Sequence, residues 1–110
     1  MTEKALCKIS DINENSSKGF SFSEKEDEQE IFIVKRDGEF YAYKNLCPHT
    51  GASLNWQADV FLDYDEFYIQ CAIHGARFEV ETGLCVWGPC VNRSLMTVDI
   101  EVRNDMIYLK

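Results

Sequence analysis

Two short pairs of metal-binding side chains stand out in the chain, Cys47-Pro48-His49 and Cys71-Ala72-Ile73-His74. A thiolate and an imidazole one residue apart, followed further along by a second such pair two residues apart, can close on one metal centre from two loops. His49 and His74 are the chain's 2 histidines. Each pair runs straight into turn-forming residues, Thr50-Gly51 in the first case and Gly75-Ala76 in the second. Both pairs are therefore expected on loop tips rather than inside strands, and loops held by a rigid sheet are where binding chemistry concentrates. Two cysteines and two histidines also complete a tetrahedral zinc site. A zinc finger, however, usually pairs cysteine with cysteine and histidine with histidine, whereas here they interleave.

Something must hold those two loops together, and the pattern around them is that of strands. Ala5, Cys7 and Ile9 alternate with Lys4, Leu6 and Lys8 in a first strand, with Cys7 as a small core residue. Residues 11–19 are polar and predict a loop, after which Phe20 and Phe22 share one side of a short strand. Residues 23–30 hold Glu24, Glu26, Asp27, Glu28 and Glu30 against a single Lys25, and predict a solvated acidic loop. Ile31-Phe32-Ile33-Val34 predicts a strand covered on both faces. Asp37-Gly38 is a hairpin turn signal, and Phe40-Tyr41-Ala42-Tyr43 is the returning strand that leads to the first ligand pair.

Beyond that pair, Ala52, Leu54 and Trp56 are expected to pack beneath the site. Residues 55–66 carry Asp59, Asp63, Asp65 and Glu66; no nucleophile accompanies them, so solvated turns are expected rather than acid–base chemistry. Phe67-Tyr68-Ile69-Gln70 predicts a strand feeding Cys71. A hairpin around Glu81-Thr82-Gly83 then leads to Gly88-Pro89-Cys90. Near the end, Val98, Ile100 and Val102 alternate with Thr97, Asp99 and Glu101, so that one face is buried and the other wet. Arg103-Asn104-Asp105 turns the chain into Met106-Ile107-Tyr108-Leu109.

Composition narrows the function. A chain of 110 residues is enough for one domain with a single core. No segment approaches the roughly 20 apolar residues of a membrane span, and the start Met1-Thr2-Glu3-Lys4-Ala5 lacks the features of a secretory signal, so a cytoplasmic protein is expected. A formal charge of −8 repels nucleic acid and anionic membrane, and suits a partner with a basic docking face. Five cysteines in a cytoplasmic chain point to ligands or buried thiols rather than a disulfide framework; Cys85 and Cys90, which flank the Gly88-Pro89 pair, are expected as free, mostly buried thiols, with a disulfide between them as the alternative.

The segments Cys47-Pro48-His49-Thr50-Gly51 and Cys71-Ala72-Ile73-His74-Gly75 resemble the signature of the Rieske iron–sulfur proteins, Cys-X-His-X-Gly followed by Cys-X-X-His-Gly. The resemblance covers nearly the whole chain. It implies one [2Fe–2S] cluster per chain, with Cys47 and Cys71 on one iron and His49 and His74 on the other, the histidines raising the potential above that of an all-cysteine cluster. It also implies an all-β fold: an antiparallel β-barrel or sandwich scaffold with a cluster-binding subdomain inserted over roughly residues 45–91. In this family a Gly-Pro turn at the position of Gly88 and Pro89 covers the cluster from the side, and the fixed φ of proline makes that cover stiff.

High-potential members carry an extra cysteine in each ligand loop, forming a disulfide, where this chain has Ala52 and Ile73. They also place a serine after His-Gly and a tyrosine two residues on, where this chain has Ala76 and Phe78. Without those donors the potential is expected toward the low end of the range, on the order of −150 mV. The chain thus resembles soluble Rieske ferredoxins, which take electrons from a flavoprotein reductase and deliver them to a terminal oxygenase, here as a monomer without substrate turnover of its own. Two alternatives are a small Rieske-like subunit of a larger reductase, such as nitrite reductase, and a zinc-stabilised interaction module.

Overall fold

The apolar run Ile31-Phe32-Ile33-Val34 lies at the centre of the computed structural model, which describes residues 5–24, 27–46, 54, 59, 61–63, 67–71, 75–88 and 91–109. Strands β1 (Ala5–Lys8), β2 (Ser16–Glu24), β3 (Asp27–Arg36), β4 (Glu39–Lys44), β5 (Ile69–Gln70), β6 (Arg77–Phe78), β7 (Cys85–Trp87), β8 (Ile100–Arg103) and β9 (Met106–Leu109) form three antiparallel sheets, ordered β2-β3-β4, β5-β6-β7 and β1-β9-β8. The all-β expectation holds, and the one helical piece among the described residues is the 3-10 turn Ile9–Asp11. The sheets do not close into a barrel among the described residues. Instead the segment before β8 lies along the free edge of β4, where Lys44 donates to the Met96 carbonyl, Val98 donates to that of Ala42, and Tyr43 pairs with Thr97.

Alternation along β3 explains the layering. Phe32 and Val34 join Tyr43 in a core with Leu54, Phe61, Ile69, Cys71, Phe78, Val80, Cys85 and Leu95, the side that carries the β5-β6-β7 sheet. Ile33, from the opposite face, packs with Ala42, Cys7, Ile12 and Ile107 toward the β1-β9-β8 sheet. A strand with a core on each side must be apolar at every position, which is why residues 31–34 show no alternation in sequence. Each such side chain contributes about 1.5–3 kcal/mol by leaving water. Cys7 is the small core residue expected.

Tight turns close the hairpins. Asp37 and Gly38 both have positive φ, 53° and 77°, between β3 and β4. Asn104 and Asp105, at 51° and 63°, do the same between β8 and β9. Such primed turns match the strand twist and favour Asn, Asp and Gly, which tolerate the left-handed region.

Four local expectations are corrected. Residues 16–19 belong to β2 rather than to a loop, because Ser16 to Gly19 pair with Lys35 to Phe32 of β3. The described part of the acidic run is likewise strand, with Glu24 at the end of β2 paired to Asp27 at the start of β3; the central strand continues outward beyond its apolar part, and a run of charged residues carries no alternation signal in the sequence. Of the expected strand at residues 67–70, only Ile69–Gln70 is paired as β5, while Leu62 bridges to Ile69. Val102 is 48% exposed, so the alternation Val98-Ile100-Val102 does not bury its last member. No helix among the described residues is long and apolar enough to cross a membrane.

Candidate metal centre

Cys71 is the candidate ligand that falls among the described residues; Cys47, His49, His74 and Pro89 lie outside them. It directly follows β5, and its backbone N–H donates to the Ala76 carbonyl at 2.8 Å, carrying the β5–β6 ladder one step past Gln70↔Arg77. The Gly75 N–H returns to the Cys71 carbonyl at 2.9 Å. These bonds make Cys71 and Gly75 the two ends of a hairpin tip that brackets His74 in sequence. Gly75 has φ +70°, a conformation its lack of Cβ makes cheap.

The surroundings of Cys71 are dry. Its side chain is fully buried, in a core with Leu54, Ala76 and Phe78. Thiolate ligation in such a place requires a cation to take up the charge, since a lone buried charge is costly. A metal-bound cysteine fits that chemistry, and an apolar shell suits a redox centre whose potential depends on excluding water.

Gly88 is held against the same hairpin. Its φ is +105°, and a Cβ built on it would lie 2.7 Å from the Ala76 Cα. Only glycine permits so close a backbone approach, and it sets the Gly88 backbone directly on the Cys71 hairpin. Next to it, Trp87 is 59% exposed, and its ring lies 3.6 Å from where a Cβ on Gly75 would be. The Arg77 guanidinium stands 5.5 Å from the centre of that ring, within cation–π range.

Tyr43 joins this layer to the scaffold. Its hydroxyl donates to the Val80 carbonyl at 2.6 Å, and its ring fills the space at Gly83, where an added Cβ would come within 2.7 Å. Gly83 has φ +76° and its carbonyl accepts the Leu95 N–H, so the expected turn at residues 81–83 is fixed from both sides. Burial pushes the Tyr43 phenol up to about 12, with Glu81 and Tyr41 adding to the rise. Burial, followed by Asp11, also raises the Cys7 thiol, with Lys18 acting the other way. Cys7 belongs to the core on the far side of β3. Cys85 is a buried thiol whose Sγ donates to the Trp87 carbonyl at 3.4 Å.

Two further positioning residues carry no motif. Asp63, expected in a solvated turn, is only 7% exposed: its Oδ1 accepts the N–H groups of Phe67 at 3.0 Å and Tyr68 at 3.2 Å, and its Oδ2 lies 3.9 Å from the Arg77 Nε. An aspartate a few residues before a strand is a turn-capping signal that could have suggested this. Asn45 is buried as well, and nothing in its neighbourhood of the sequence announces the contact it makes. Leu54 is fully buried as expected, while Ala52 and Trp56 lie outside the described residues.

Comparison with known proteins agrees with this chemistry. The Rieske [2Fe-2S] domain family matches residues 2–103. The ferredoxin component of the naphthalene 1,2-dioxygenase/salicylate 5-hydroxylase systems of Ralstonia sp. is 33% identical over 106 residues, 96% of this chain and 91% of that one. The ferredoxin component of the naphthalene 1,2-dioxygenase system of Pseudomonas putida is 32% identical over 96 residues, 87% of this chain and 83% of that one. Among solved structures, the ferredoxin of carbazole 1,9a-dioxygenase from Nocardioides aromaticivorans IC177 superposes with a TM-score of 0.71 at 24% identity, covering 99% of this chain and 97% of that one, and shares its fold. The family match selects one [2Fe–2S] cluster per chain over tetrahedral zinc. With a buried cysteine at a glycine-braced hairpin tip and relatives alike over almost their whole length, the chain belongs to the Rieske [2Fe–2S] domain family.

Proposed function

We propose that this protein is a cytoplasmic one-electron carrier that accepts electrons from a flavoprotein reductase and passes them to a terminal oxygenase, without turning over a substrate itself. The observation that carries this is the match to ferredoxin components of dioxygenase systems over nearly the full length of both chains. Its formal charge of −8 supports transient docking to basic faces, where complementary fields mainly speed encounter.

The proposed ligands are Cys47 and Cys71 on one iron and His49 and His74 on the other, within a cluster-binding part of the single domain that spans roughly residues 45–91. The bound cluster supplies one-electron redox chemistry at a potential low for its class. The chain's own part is to hold the ligands and keep water out. The Cys71 hairpin is held by its two backbone bonds and by Gly88, and its base is anchored through Tyr43. Gly88 and Pro89 are proposed as the shielding turn. The histidine side is proposed as the exit for the electron, in keeping with the half-exposed Trp87 beside Gly75.

Electron paramagnetic resonance of the dithionite-reduced protein tests the assignment. Mixed nitrogen and sulfur ligation is expected to lower the average g-value relative to an all-thiolate cluster, and His49→Ser and His74→Ser are each expected to abolish that signal. A native spectrum in either variant overturns the ligand set. A protein that holds neither iron nor sulfide after anaerobic reconstitution overturns the function.

A further inference from the structure

Asn45 stands at the root of the segment that carries Cys47 and His49, and it is 3% exposed. Its backbone N–H donates to the Glu30 carbonyl at 2.9 Å, one step beyond the last β3–β4 pair Ile31↔Lys44, which fastens the residue to the central sheet. Its side-chain Oδ1 accepts the Leu54 backbone N–H at 2.8 Å. Leu54 in turn is fully buried in the core that contains Cys71. One amide oxygen therefore ties the residue that follows the last β3–β4 pair to Leu54 in the core, nine positions further along the chain. A buried N–H requires an acceptor, and no apolar side chain at position 45 could supply one.

We propose that Asn45 is a positioning residue whose side-chain oxygen closes the loop bearing the first ligand pair and thereby governs how firmly that pair is held relative to Cys71. This rests on the ligand assignment above. Two loops share one centre, so any opening of the first exposes the metal to solvent and to competitors, and local opening is limited by the hydrogen bonds at a loop's base. The requirement is for an acceptor. Aspartate at this position preserves it, and alanine does not.

The test compares anaerobically purified, iron- and sulfide-loaded wild type with Asn45→Ala, Asn45→Asp and Ile107→Val, the last a truncation in the opposite core. Decay of visible absorption in excess ferrous chelator, thermal melting and reduced-state paramagnetic resonance are the readouts. Asn45→Ala is expected to lose its absorption on the order of tenfold faster, the scale of one buried donor left unsatisfied, with a broadened resonance. Asn45→Asp is expected to decay close to the wild-type rate. Ile107→Val is expected to melt earlier and yet keep the wild-type decay. The proposal is overturned if Asn45→Ala decays like wild type, if Asn45→Asp decays like Asn45→Ala, or if Ile107→Val decays as fast as Asn45→Ala at an equal loss of melting temperature. Should Asn45→Ala not fold, hydrogen exchange of the Leu54 amide in loaded wild type decides: slow exchange is expected, and exchange at the rate of an unprotected amide overturns the proposal. A wild type holding no iron or sulfide removes the ligand assignment itself, a result distinct from all of these.

Discussion

Gly88 and Ala76 approach so closely that a Cβ on the glycine would sit 2.7 Å from the Ala76 Cα. Gly88 and the hairpin that begins at Cys71 are thus packed backbone to backbone, with no room for a side chain between them. At φ +105° the glycine also adopts a conformation that other residues resist.

Replacing Gly88 by alanine should therefore push this part of the backbone off the hairpin. Strain of this kind costs about 1–3 kcal/mol. The melting temperature is expected to fall, and the visible absorption to fade faster on exposure to oxygenated buffer; both are read on the loaded protein. A variant with wild-type melting and wild-type fading would show that the close approach has no energetic consequence.

Tyr43→Phe removes the hydroxyl that donates to the Val80 carbonyl and should destabilise by about 1 kcal/mol in urea unfolding. It should also change the alkaline limb of the stability curve. The phenol is pushed up to about 12 in the folded protein, against 10.0 ordinarily, so its contribution is complete below about pH 10 and lost as the pH rises toward 12. Unfolding free energy of the wild type should decline across that window more steeply than that of the variant, measured by urea titration at successive pH values.

Asp63→Ala strips the acceptor from two backbone N–H groups and the ion-pair partner from Arg77. The expected loss is about 1–3 kcal/mol, well above that of an exposed aspartate. Equilibrium urea unfolding measures it, with Asp99→Ala, at an exposed position, as the neutral comparison.

Ala76→Ser places a hydroxyl where high-potential Rieske proteins have one. If it donates toward the cluster or its cysteine sulfur, one net hydrogen bond of about 1 kcal/mol corresponds to a rise of roughly 40–50 mV at 59 mV per tenfold for one electron. Spectroelectrochemical titration reads the shift. A potential unchanged or lowered would argue against the absence of this donor as the reason for a low value.

The proposed ligand residues rest on sequence alone, and they can be named there because metal chemistry is local: a cysteine and a histidine one or two apart, then glycine, carry their meaning within five positions. The same holds for the turns at Asp37-Gly38, Glu81-Thr82-Gly83 and Asn104-Asp105, where backbone conformation selects the residue type. The run at residues 31–34 announced a strand covered on both faces, and Phe32 and Ile33 do face different cores. Other features arise only when distant parts of the chain meet. The polar residues 16–19 are strand because β3 offers them partners, Asp63 is buried because Phe67 and Tyr68 turn back on it, and Val102 is left half-exposed although it alternates in step with Val98 and Ile100. The bond from Asn45 to Leu54 spans nine positions that no periodicity links. Residue type and short spacing set the chemistry and the turns, whereas pairing partners and burial depend on which surfaces the completed fold brings into contact.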